Sequence, residues 1–416
     1  MILHESSFAP LPPWAKAVSG GVTYPEGFQA SGIASGVKKR GKLDLGMLMS
    51  REACVSAAAF TQNAAAAAPV RLTRETSDCA HLRAVVVNAG NANACTGKQG
   101  LADAARMRLL TANHLRLPVA QVAVSSTGII GLPLPMEKIE PGVAAAAASL
   151  SAGGGRHFVQ AIRTTDKHAK GGALDVDLEE GHVRLGFAAK GCGMISPNMA
   201  TMLCFVTCDA TLDEATWSEL LHDAVAKSFN RISVDGQEST NDTVMGFANG
   251  ASGVQPGESG LARLSSALTA AMLSLAVAIV ADGEGSTRTM RLTVTGARDD
   301  AEAENVARAV ANSPLVKTAF YGRDANWGRI MQAIGMALGR AGRGALPAAI
   351  AYEDVAIVEH GQPVDLAEGQ QDRLAQILEQ PEIALHVALN GPGATSTIYF
   401  SDLTHEYVTL NAEYTT

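Results

Sequence analysis

Residues Lys190 to Leu203 read KGCGMISPNMATML, and this stretch joins two predicted strands. The first strand is predicted because Val183, Leu185 and Phe187 alternate with polar or small residues, the period of a half-buried strand. The second is the apolar run MLCFVTC at 202–208, which is typical of a strand buried on both faces. The stretch therefore predicts a loop, shaped by glycine and proline, that brings a threonine hydroxyl to the start of a buried strand.

Thr201 is the residue at that position. Its Oγ can attack the carbonyl carbon of Ala200 to form an ester, which water then cleaves. The new N-terminal threonine would carry its own base in the freed α-amine, a recognised way of activating this nucleophile. Threonine is also common in strands, so the local pattern alone leaves a purely structural role open.

The same stretch resembles the self-cleavage site of the ornithine acetyltransferase family, the ArgJ family. Other motifs resemble signatures of this family and occur in the family's order. They are SSTGIIG at 125–131, RTTD at 163–166, DGQESTNDT at 235–243, DGEGST at 282–287, GRDANWGRI at 322–330 and NAEYTT at 411–416. The resemblance covers nearly the whole chain, and its motifs are highly specific when taken together.

The resemblance implies an α/β fold, a layered α-β-β-α sandwich of the type shared with autoprocessing aminopeptidases. A smaller β/α C-terminal domain is expected at about 290–400. Cleavage between Ala200 and Thr201 would give an alpha chain, 1–200, and a beta chain, 201–416. The family implies that the two chains stay together and assemble as a heterotetramer with two copies of each.

The implied activity is a ping-pong reaction of arginine biosynthesis. The acetyl group of N2-acetyl-L-ornithine would pass to L-glutamate through acetyl-Thr201, without a cofactor. Acetyl-CoA is a conceivable second donor, but the sequence offers no phosphate-binding loop and no clear basic cluster near the site. N-acetylornithine is therefore expected to be much the better donor. Two alternatives stay open: a self-cleaving amidohydrolase or aminopeptidase, and a processed binding protein without catalysis.

The Thr-Gly pair of SSTGIIG forms the oxyanion hole in the family, and it corresponds to Thr127 and Gly128. A strand that ends in a hydroxyl residue and glycine can aim a side-chain O–H and a backbone N–H at one point. The alternative is an ordinary strand-to-helix turn in which the hydroxyl caps the helix.

Further residues are expected to bind substrate. By resemblance they are Thr164, Lys190, Thr201, Glu284, Asn411 and Thr416. Glu284 lies between two glycines and suits a ligand ammonium group. Lys190 is expected to pair with a carboxylate or to stabilise charge during self-cleavage. The polar cluster 239–242 either orients the nucleophile or closes a turn.

Composition narrows the classes of function and partner that remain open. The 416 residues carry a net charge of −8 and show no basic tract, which argues against nucleic acid as a partner. The six cysteines form no C-x-x-C pair or zinc spacing, so reduced and mostly buried thiols are expected. The N-terminus resembles no secretion signal, and the apolar run Ala267 to Ala281 is shorter than the ~20 residues that span a bilayer. A cytoplasmic protein with no membrane partner is expected, with this run as a core helix.

The remaining periodicity predicts individual elements. Strands are expected at Leu43–Ser50, Val55–Phe60, Val159–Ile162 and Ala349–Ala356. An amphipathic helix is expected over Thr211–Phe229, with the stripe around Trp217 in the core.

Overall fold

The computed structural model describes residues 3–196, 202–344 and 348–413. These residues divide into two compact units. The first comprises Met1–Asn230 and Gln237–Ile279, and the second comprises Arg231–Gly236 and Val280–Tyr414. The domain predicted at about 290–400 falls within the second unit. The predicted cleavage point between residues 200 and 201 lies outside the described residues.

The described strands and helices follow one another along the chain. The strands are β1 (Ala15–Val18), β2 (Phe28–Ile33), β3 (Leu45–Ser50), β4 (Val55–Phe60), β5 (Ala84–Asn91), β6 (Val122–Ile129), β7 (Lys170–Leu178), β8 (Gly181–Lys190), β9 (Leu203–Cys208), β10 (Ile232–Ser233), β11 (Thr243–Ala248), β12 (Thr289–Ala297), β13 (Ala349–Tyr352), β14 (Val355–Glu359), β15 (Gln362–Pro363), β16 (Glu382–Ala388) and β17 (Ala394–Ser401). The α-helices are α1 (Ala68–Thr76), α2 (Gly97–Leu115), α3 (Met136–Ala148), α4 (Gly155–Ile162), α5 (Glu214–Lys227), α6 (Glu258–Ala281), α7 (Asp300–Ala311), α8 (Pro314–Tyr321), α9 (Trp327–Arg340), α10 (Glu368–Glu379) and α11 (His405–Glu413).

The described strands of the first unit form two sheets. One has six strands in the order β1-β7-β8-β9-β11-β4, and the other has four in the order β2-β3-β5-β6. A hydrophobic core joins the two sheets because each contributes an apolar face. Its buried residues include Phe28, Leu48, Val85, Phe158, Ile162, Phe205 and Phe247.

Helices cover the outer faces of both sheets. On the four-stranded sheet, α1, α2 and α3 bury a second core that includes Met47, Val86 and Met107. On the six-stranded sheet, α5 packs against β4 and β11. Trp217 of α5 lies directly over Gly246, whose lack of a side chain leaves room for the indole ring. The predicted α-β-β-α sandwich is therefore confirmed, and the stripe around Trp217 is core, as expected.

Strand β9 lies in the middle of the six-stranded sheet and is buried at every position, which confirms the prediction of a strand buried on both faces. It pairs antiparallel with β8 and parallel with β11. Cys204 and Cys208 on this strand are core residues, as predicted.

The predicted strand Val159–Ile162 is wrong, because this segment belongs to helix α4. Phe158, Val159 and Ile162 recur at helical spacing and fill the core between the two sheets. The helix can approach β2 closely because Gly154 precedes it: a Cβ there would stand 1.7 Å from the carbonyl oxygen of Ala30. A four-residue segment with three apolar residues does not by itself distinguish a strand from a buried helical turn.

One other predicted strand differs from the expectation. The predicted strand Ala349–Ala356 is a hairpin, in which β13 and β14 flank a turn with Glu353 at a φ of 50°. The segments 45–50 and 55–60 are both strands, as predicted, and the structure places β3 and β4 in different sheets. The turn between them therefore carries the chain from one layer of the sandwich to the other.

The second unit has one described sheet of seven strands in the order β10-β17-β12-β16-β13-β14-β15. Helix α7 packs against β12 and β17 and also against α9. Their shared core is aliphatic, with Val306, Ile334 and Phe400 among its buried residues.

Helix α6 is longer than the apolar run that predicted it. Its 24 residues make it the one helix among the described residues whose length and composition would allow it to cross a membrane. Two thirds of its most apolar window, 67%, is buried inside the protein, which is typical of a core helix in a soluble protein. The prediction that this segment is too short was wrong on length, while its burial agrees with the predicted core helix.

Candidate active site

Three strand ends meet at one edge of the six-stranded sheet. Lys190, the last residue of β8, is in register with Leu203, the first residue of β9. Leu203 is in turn in register with Thr243, the first residue of β11. The amide of Thr243 also donates to the carbonyl oxygen of Met202 at 3.0 Å. The sheet therefore fixes residues on both sides of the segment that contains the predicted nucleophile.

Thr127 reaches the same edge from the four-stranded sheet. Lys190 donates a hydrogen bond from Nζ to Thr127 Oγ1 at 3.4 Å, and both residues are buried. Together they line a small cavity in the first unit. The cavity is lined by Thr127, Lys190, Met202, Leu203, Ser239, Asn241 and Asp242.

Gly128 has a backbone conformation that other residues rarely adopt, with a φ of 134°. A Cβ at this position would stand 2.4 Å from the carbonyl carbon of Gly90 on the neighbouring strand. The strand continues to Ile129, and the next helix begins only at Met136. Thr127 therefore does not cap a helix. Because its oxygen accepts from Lys190, its own O–H is available to donate elsewhere.

Asn241 ties the polar cluster 239–242 to the opposite sheet. Its side-chain amide donates to the carbonyl oxygens of Ala92, at 2.7 Å, and Ser126, at 2.8 Å. Thr240 Oγ1 in turn donates to Asn241 Oδ1 at 2.6 Å. These buried bonds span the two layers, so the cluster does more than close a turn.

Asp166 is a buried, fully satisfied carboxylate beside the end of β8. Its Oδ1 accepts from Lys170 Nζ at 2.9 Å and from the amide of Gly191 at 2.7 Å, and its Oδ2 accepts from the amide of Thr164 at 3.0 Å. Burial acts to raise its pKa, but the charges of Lys170 and Lys190 and the two amide bonds outweigh it. The net result is a pKa well below the usual range.

Thr164, a predicted substrate contact, lies half-buried in the loop after α4. Asp166 holds this loop against the end of β8 through its bond to Gly191, the residue after Lys190. The structure thus brings the RTTD motif to the edge where Lys190 ends its strand. Sequence reasoning singled out Thr164 and missed the role of Asp166 in the same motif.

Asp242 is buried at the start of β11, and its Oδ1 accepts from the amide of Met202 at 2.9 Å. Burial raises the pKa of this carboxyl well above its ordinary value, although the Met202 amide and the charge of Lys190 act to lower it. The sequence pointed to the cluster that contains it, but not to this residue in particular.

Cys192 does not act as a nucleophile in this site. Its Sγ lies 3.0 Å from Thr165 Oγ1, and burial raises the pKa of the thiol to about 12. A neutral buried thiol is a poor nucleophile. Among the described residues, no group of three or more histidine, cysteine, aspartate or glutamate side chains could hold a metal ion.

Glu284 and Asn411 belong to the second unit, where they contact each other. Asn411 Nδ2 donates to Glu284 Oε2 at 2.9 Å and to the carbonyl oxygen of Tyr407 at 3.0 Å. The two predicted substrate contacts are thus neighbours, although they are far apart in sequence. The other predicted positions, Ala200, Thr201 and Thr416, lie outside the described residues.

Comparison with known proteins identifies the family. The ArgJ family model matches residues 29–416. The arginine biosynthesis bifunctional protein ArgJ of Symbiobacterium thermophilum is 42% identical over 404 residues, which cover 96% of this chain and 99% of that protein. Its namesake from Parasynechococcus marenigrum is 44% identical over 415 residues, 97% of each chain.

Solved structures are also similar. The ornithine acetyltransferase from Mycobacterium tuberculosis, solved in complex with ornithine, is 39% identical, with a TM-score of 0.42; the match covers 44% of this chain and 98% of that one. The family model and the full-length relatives decide the assignment. The predicted resemblance is confirmed: this chain belongs to the ArgJ family.

Proposed function

We propose that this chain is a glutamate N-acetyltransferase of arginine biosynthesis. It would move the acetyl group of N2-acetyl-L-ornithine to L-glutamate, giving L-ornithine and N-acetyl-L-glutamate. Full-length similarity to the arginine biosynthesis proteins supports the pathway. The observation that carries the chemistry is that Met202, the residue after the proposed nucleophile, lines one small cavity with Thr127 and Lys190.

The proposed reaction has two half-reactions at Thr201. Its Oγ attacks the acetyl carbonyl carbon, and its own α-amine, with a reference pKa of about 7.7, takes the hydroxyl proton. Thr127 O–H and Gly128 N–H donate to the oxygen that becomes negative. Ornithine leaves with a proton on its amine. The amine of glutamate then attacks acetyl-Thr201 and restores the free hydroxyl.

Self-cleavage between Ala200 and Thr201 is part of the proposal, because it creates the α-amine that the reaction uses. The alpha chain 1–200 and the beta chain 201–416 would remain together, since strands from both segments pair within the six-stranded sheet. We propose two copies of each chain in the assembly, a heterotetramer that light scattering on the purified protein can test.

Both substrates share an α-amino-acid core, so one site can serve both half-reactions. Thr164, Lys190, Glu284, Asn411 and Thr416 are all proposed to bind the substrate. Glu284 is proposed as the partner of the substrate ammonium group.

The test is intact mass spectrometry of the purified protein before and after incubation with N-acetylornithine. Wild-type protein is expected as two fragments, and the beta fragment is expected to gain about 42 Da as the acetyl-enzyme. Thr201→Ala is expected to stay one chain and to gain nothing. A Thr201→Ala protein that still splits at this bond would remove the nucleophile assignment.

Hydrolysis is the alternative reaction on the same fold. A transferase must keep water from the acetyl-enzyme until the amine arrives. We therefore expect N-acetylornithine to be consumed slowly without glutamate and rapidly with it. Equal rates under the two conditions would identify a hydrolase.

Donor choice is a separate part of the proposal. N-acetylornithine offers a carboxylate and an ammonium group, whereas acetyl-CoA would require partners for its phosphates. We propose that N-acetylornithine is much the better donor. Measurement of kcat/KM for N-acetylglutamate formation with each donor tests this, and comparable values would show that acetyl-CoA has its own binding groups.

A further inference from the structure

The loop that carries Glu284 rests on the start of helix α11 in the second unit. Glu284 stands between Gly283 and Gly285, and Gly285 has a φ of 73°. A carboxylate between two glycines can point in many directions, so an ordered direction has to come from contacts with its surroundings. Those contacts are supplied by the segment 401–404, which reads SDLT and runs from the end of β17 to the residue before α11.

Thr404 connects the loop to the helix through a single hydroxyl group. Its Oγ1 donates to the carbonyl oxygen of Gly285 at 2.8 Å and accepts from the amide of Tyr407 at 3.3 Å. Thr404 directly precedes α11, and a hydroxyl in that position commonly caps a helix through the amide three residues further on. The residue is buried, at 6% exposed. The hydroxyl that caps α11 therefore also holds the residue that follows Glu284.

The loop and the helix are in direct contact at Gly285. A Cβ at this position would stand 2.5 Å from the amide nitrogen of Tyr407, so only glycine lets the backbone approach this closely. Asp402, which is also buried, fixes the next part of the loop. Its Oδ1 accepts from the amide of Thr287 at 2.9 Å, and its Oδ2 accepts from the Thr287 hydroxyl. The residues after Glu284 are therefore bonded to the SDLT segment at two points.

The Glu284 side chain reaches the same helix one turn further on. Its Oε2 accepts from Asn411 Nδ2 at 2.9 Å, and Asn411 Nδ2 also donates to the carbonyl oxygen of Tyr407 at 3.0 Å. The backbone after Glu284 is thus held at the first turn of α11, and its carboxylate at the second. We propose that Thr404 and Asp402 are positioning residues for substrate binding: without contacting the substrate, they set the direction in which the Glu284 carboxylate meets the substrate ammonium group.

This inference rests on the proposed function, in which Glu284 pairs with the ammonium group of the substrate. N2-acetyl-L-ornithine keeps an ammonium group at the end of its side chain, because acetylation blocks only the α-nitrogen. The side chain of L-glutamate ends in a carboxylate instead. Misdirection of Glu284 should therefore weaken the binding of N-acetylornithine more than the binding of glutamate, whereas a general loss of structure would affect both.

Thr404→Val is the informative variant, because it keeps the shape of threonine and removes the hydroxyl. We expect its KM for N-acetylornithine to rise roughly 3- to 10-fold, the scale of one hydrogen bond, with kcat and the KM for glutamate nearly unchanged. Thr404→Ser keeps the hydroxyl and should restore the wild-type KM. The matched control is Ser313→Ala, which removes the bond that Ser313 Oγ accepts from the amide of Val316 at the start of α8. This control should lower the melting temperature and leave both KM values unchanged.

A double-mutant cycle separates positioning from a purely structural role. If Thr404 acts through Glu284, Thr404→Val should have little further effect on KM for N-acetylornithine in a Glu284→Ala protein, although each single variant raises it. Effects that multiply would show two independent contributions and would overturn the inference. A wild-type KM in Thr404→Val or in Glu284→Ala, or equal rises in KM for the two substrates, would overturn it as well.

Asp402→Asn tests the same loop and decides the matter if Thr404→Val does not fold. It keeps an oxygen for the Thr287 amide and replaces the other oxygen, the acceptor of the Thr287 hydroxyl, with an NH2 group. Its KM for N-acetylornithine should also rise selectively, and a wild-type KM would overturn the inference. Failure of the proposed function is a different result: the wild-type protein would then transfer no acetyl group from N-acetylornithine to glutamate. Normal transfer with unaffected variants would remove this inference alone.

Discussion

Asp166 and Asp242 are both buried aspartates at the edge where β8 ends and β9 begins, yet their surroundings differ. Asp166 accepts from Lys170, Gly191 and Thr164. Asp242 accepts from Met202 through one oxygen, and its other oxygen has no partner among the described residues. Burial opposes ionisation in both. In Asp166 the charges of Lys170 and Lys190, together with two backbone amides, outweigh burial and lower the pKa, whereas in Asp242 burial dominates and raises the pKa.

The largest expected effect comes from removing the partner of Asp166. Lys170→Met would leave Asp166 buried without its cation, and breaking one side of a buried ion pair typically costs about 3–5 kcal/mol. Urea unfolding at pH 7 measures the loss. The control is Lys227→Met, which breaks an exposed pair with Asp223 and should cost at most about 1 kcal/mol. Similar losses in the free energy of unfolding of the two variants would show that the buried Asp166–Lys170 pair contributes no more to stability than the exposed pair.

Thr127 accepts a hydrogen bond from Lys190, and the charge of Lys190 acts on both aspartates. Thr127→Ala removes the proposed oxyanion donor, and loss of one such donor costs roughly 2.7–4 kcal/mol in transition-state stabilisation. We expect kcat to fall accordingly, while folding and the assembly of the two chains stay unchanged. Thr127→Ser keeps the hydroxyl and should retain most of the activity. A wild-type kcat in Thr127→Ala would contradict the oxyanion role.

The two carboxyl groups should give opposite pH dependences of stability. The lowered pKa of Asp166 stabilises the fold above the unfolded pKa of about 3.9, and this contribution is lost as pH falls through the folded pKa. The raised pKa of Asp242 works in reverse: stability is highest below about pH 3.9 and declines as pH rises toward the folded pKa. Each slope is at most about 1.4 kcal/mol per pH unit.

Unfolding of Asp166→Asn and Asp242→Asn over a pH series measures both slopes. As pH rises from about 3 to 5, Asp166→Asn should lose stability relative to wild type. From about 4 to 8, Asp242→Asn should gain stability relative to wild type. Slopes of the same sign would mean that both aspartates are ionised in the folded protein.

Much of this site could be predicted from the sequence. The apolar run 202–208 is buried on both faces because β8 and β11 flank it, as its composition implied. Thr127 and Lys190 were selected by motif, and in the structure Lys190 Nζ lies 3.4 Å from Thr127 Oγ1. Glu284 and Asn411 were also selected separately and form a hydrogen bond in the second unit.

The sequence could not predict which hydrogen-bond donors contact each of the two aspartates. Asp166 and Asp242 each occur in a motif that the sequence singled out, but their pKa values depend on burial and on the charge of Lys190, which the fold brings close to both. Gly191 and Met202 supply backbone amides, which carry no sequence signal at all. The same limit explains helix α4: the short segment 159–162 fits a strand, and only the packing between the two sheets shows that it belongs to a helix.

The smallest expected effect on stability lies at a third carboxylate, Glu284, which bonds to Asn411 at an exposed position of α11. A neutral donor on the surface competes with water, so Asn411→Ala should change the free energy of unfolding by at most about 0.5 kcal/mol. Its effect should appear in substrate binding, with KM for N-acetylornithine raised several-fold and kcat nearly unchanged. The control is Thr409→Ala, an exposed residue on the same helix, which should alter neither quantity. A stability loss comparable to that of Lys170→Met would mean that the Glu284–Asn411 contact is structural. An unchanged KM would mean that these residues do not meet the substrate, and the contrast between the buried aspartates and the half-buried Glu284 would then say nothing about binding.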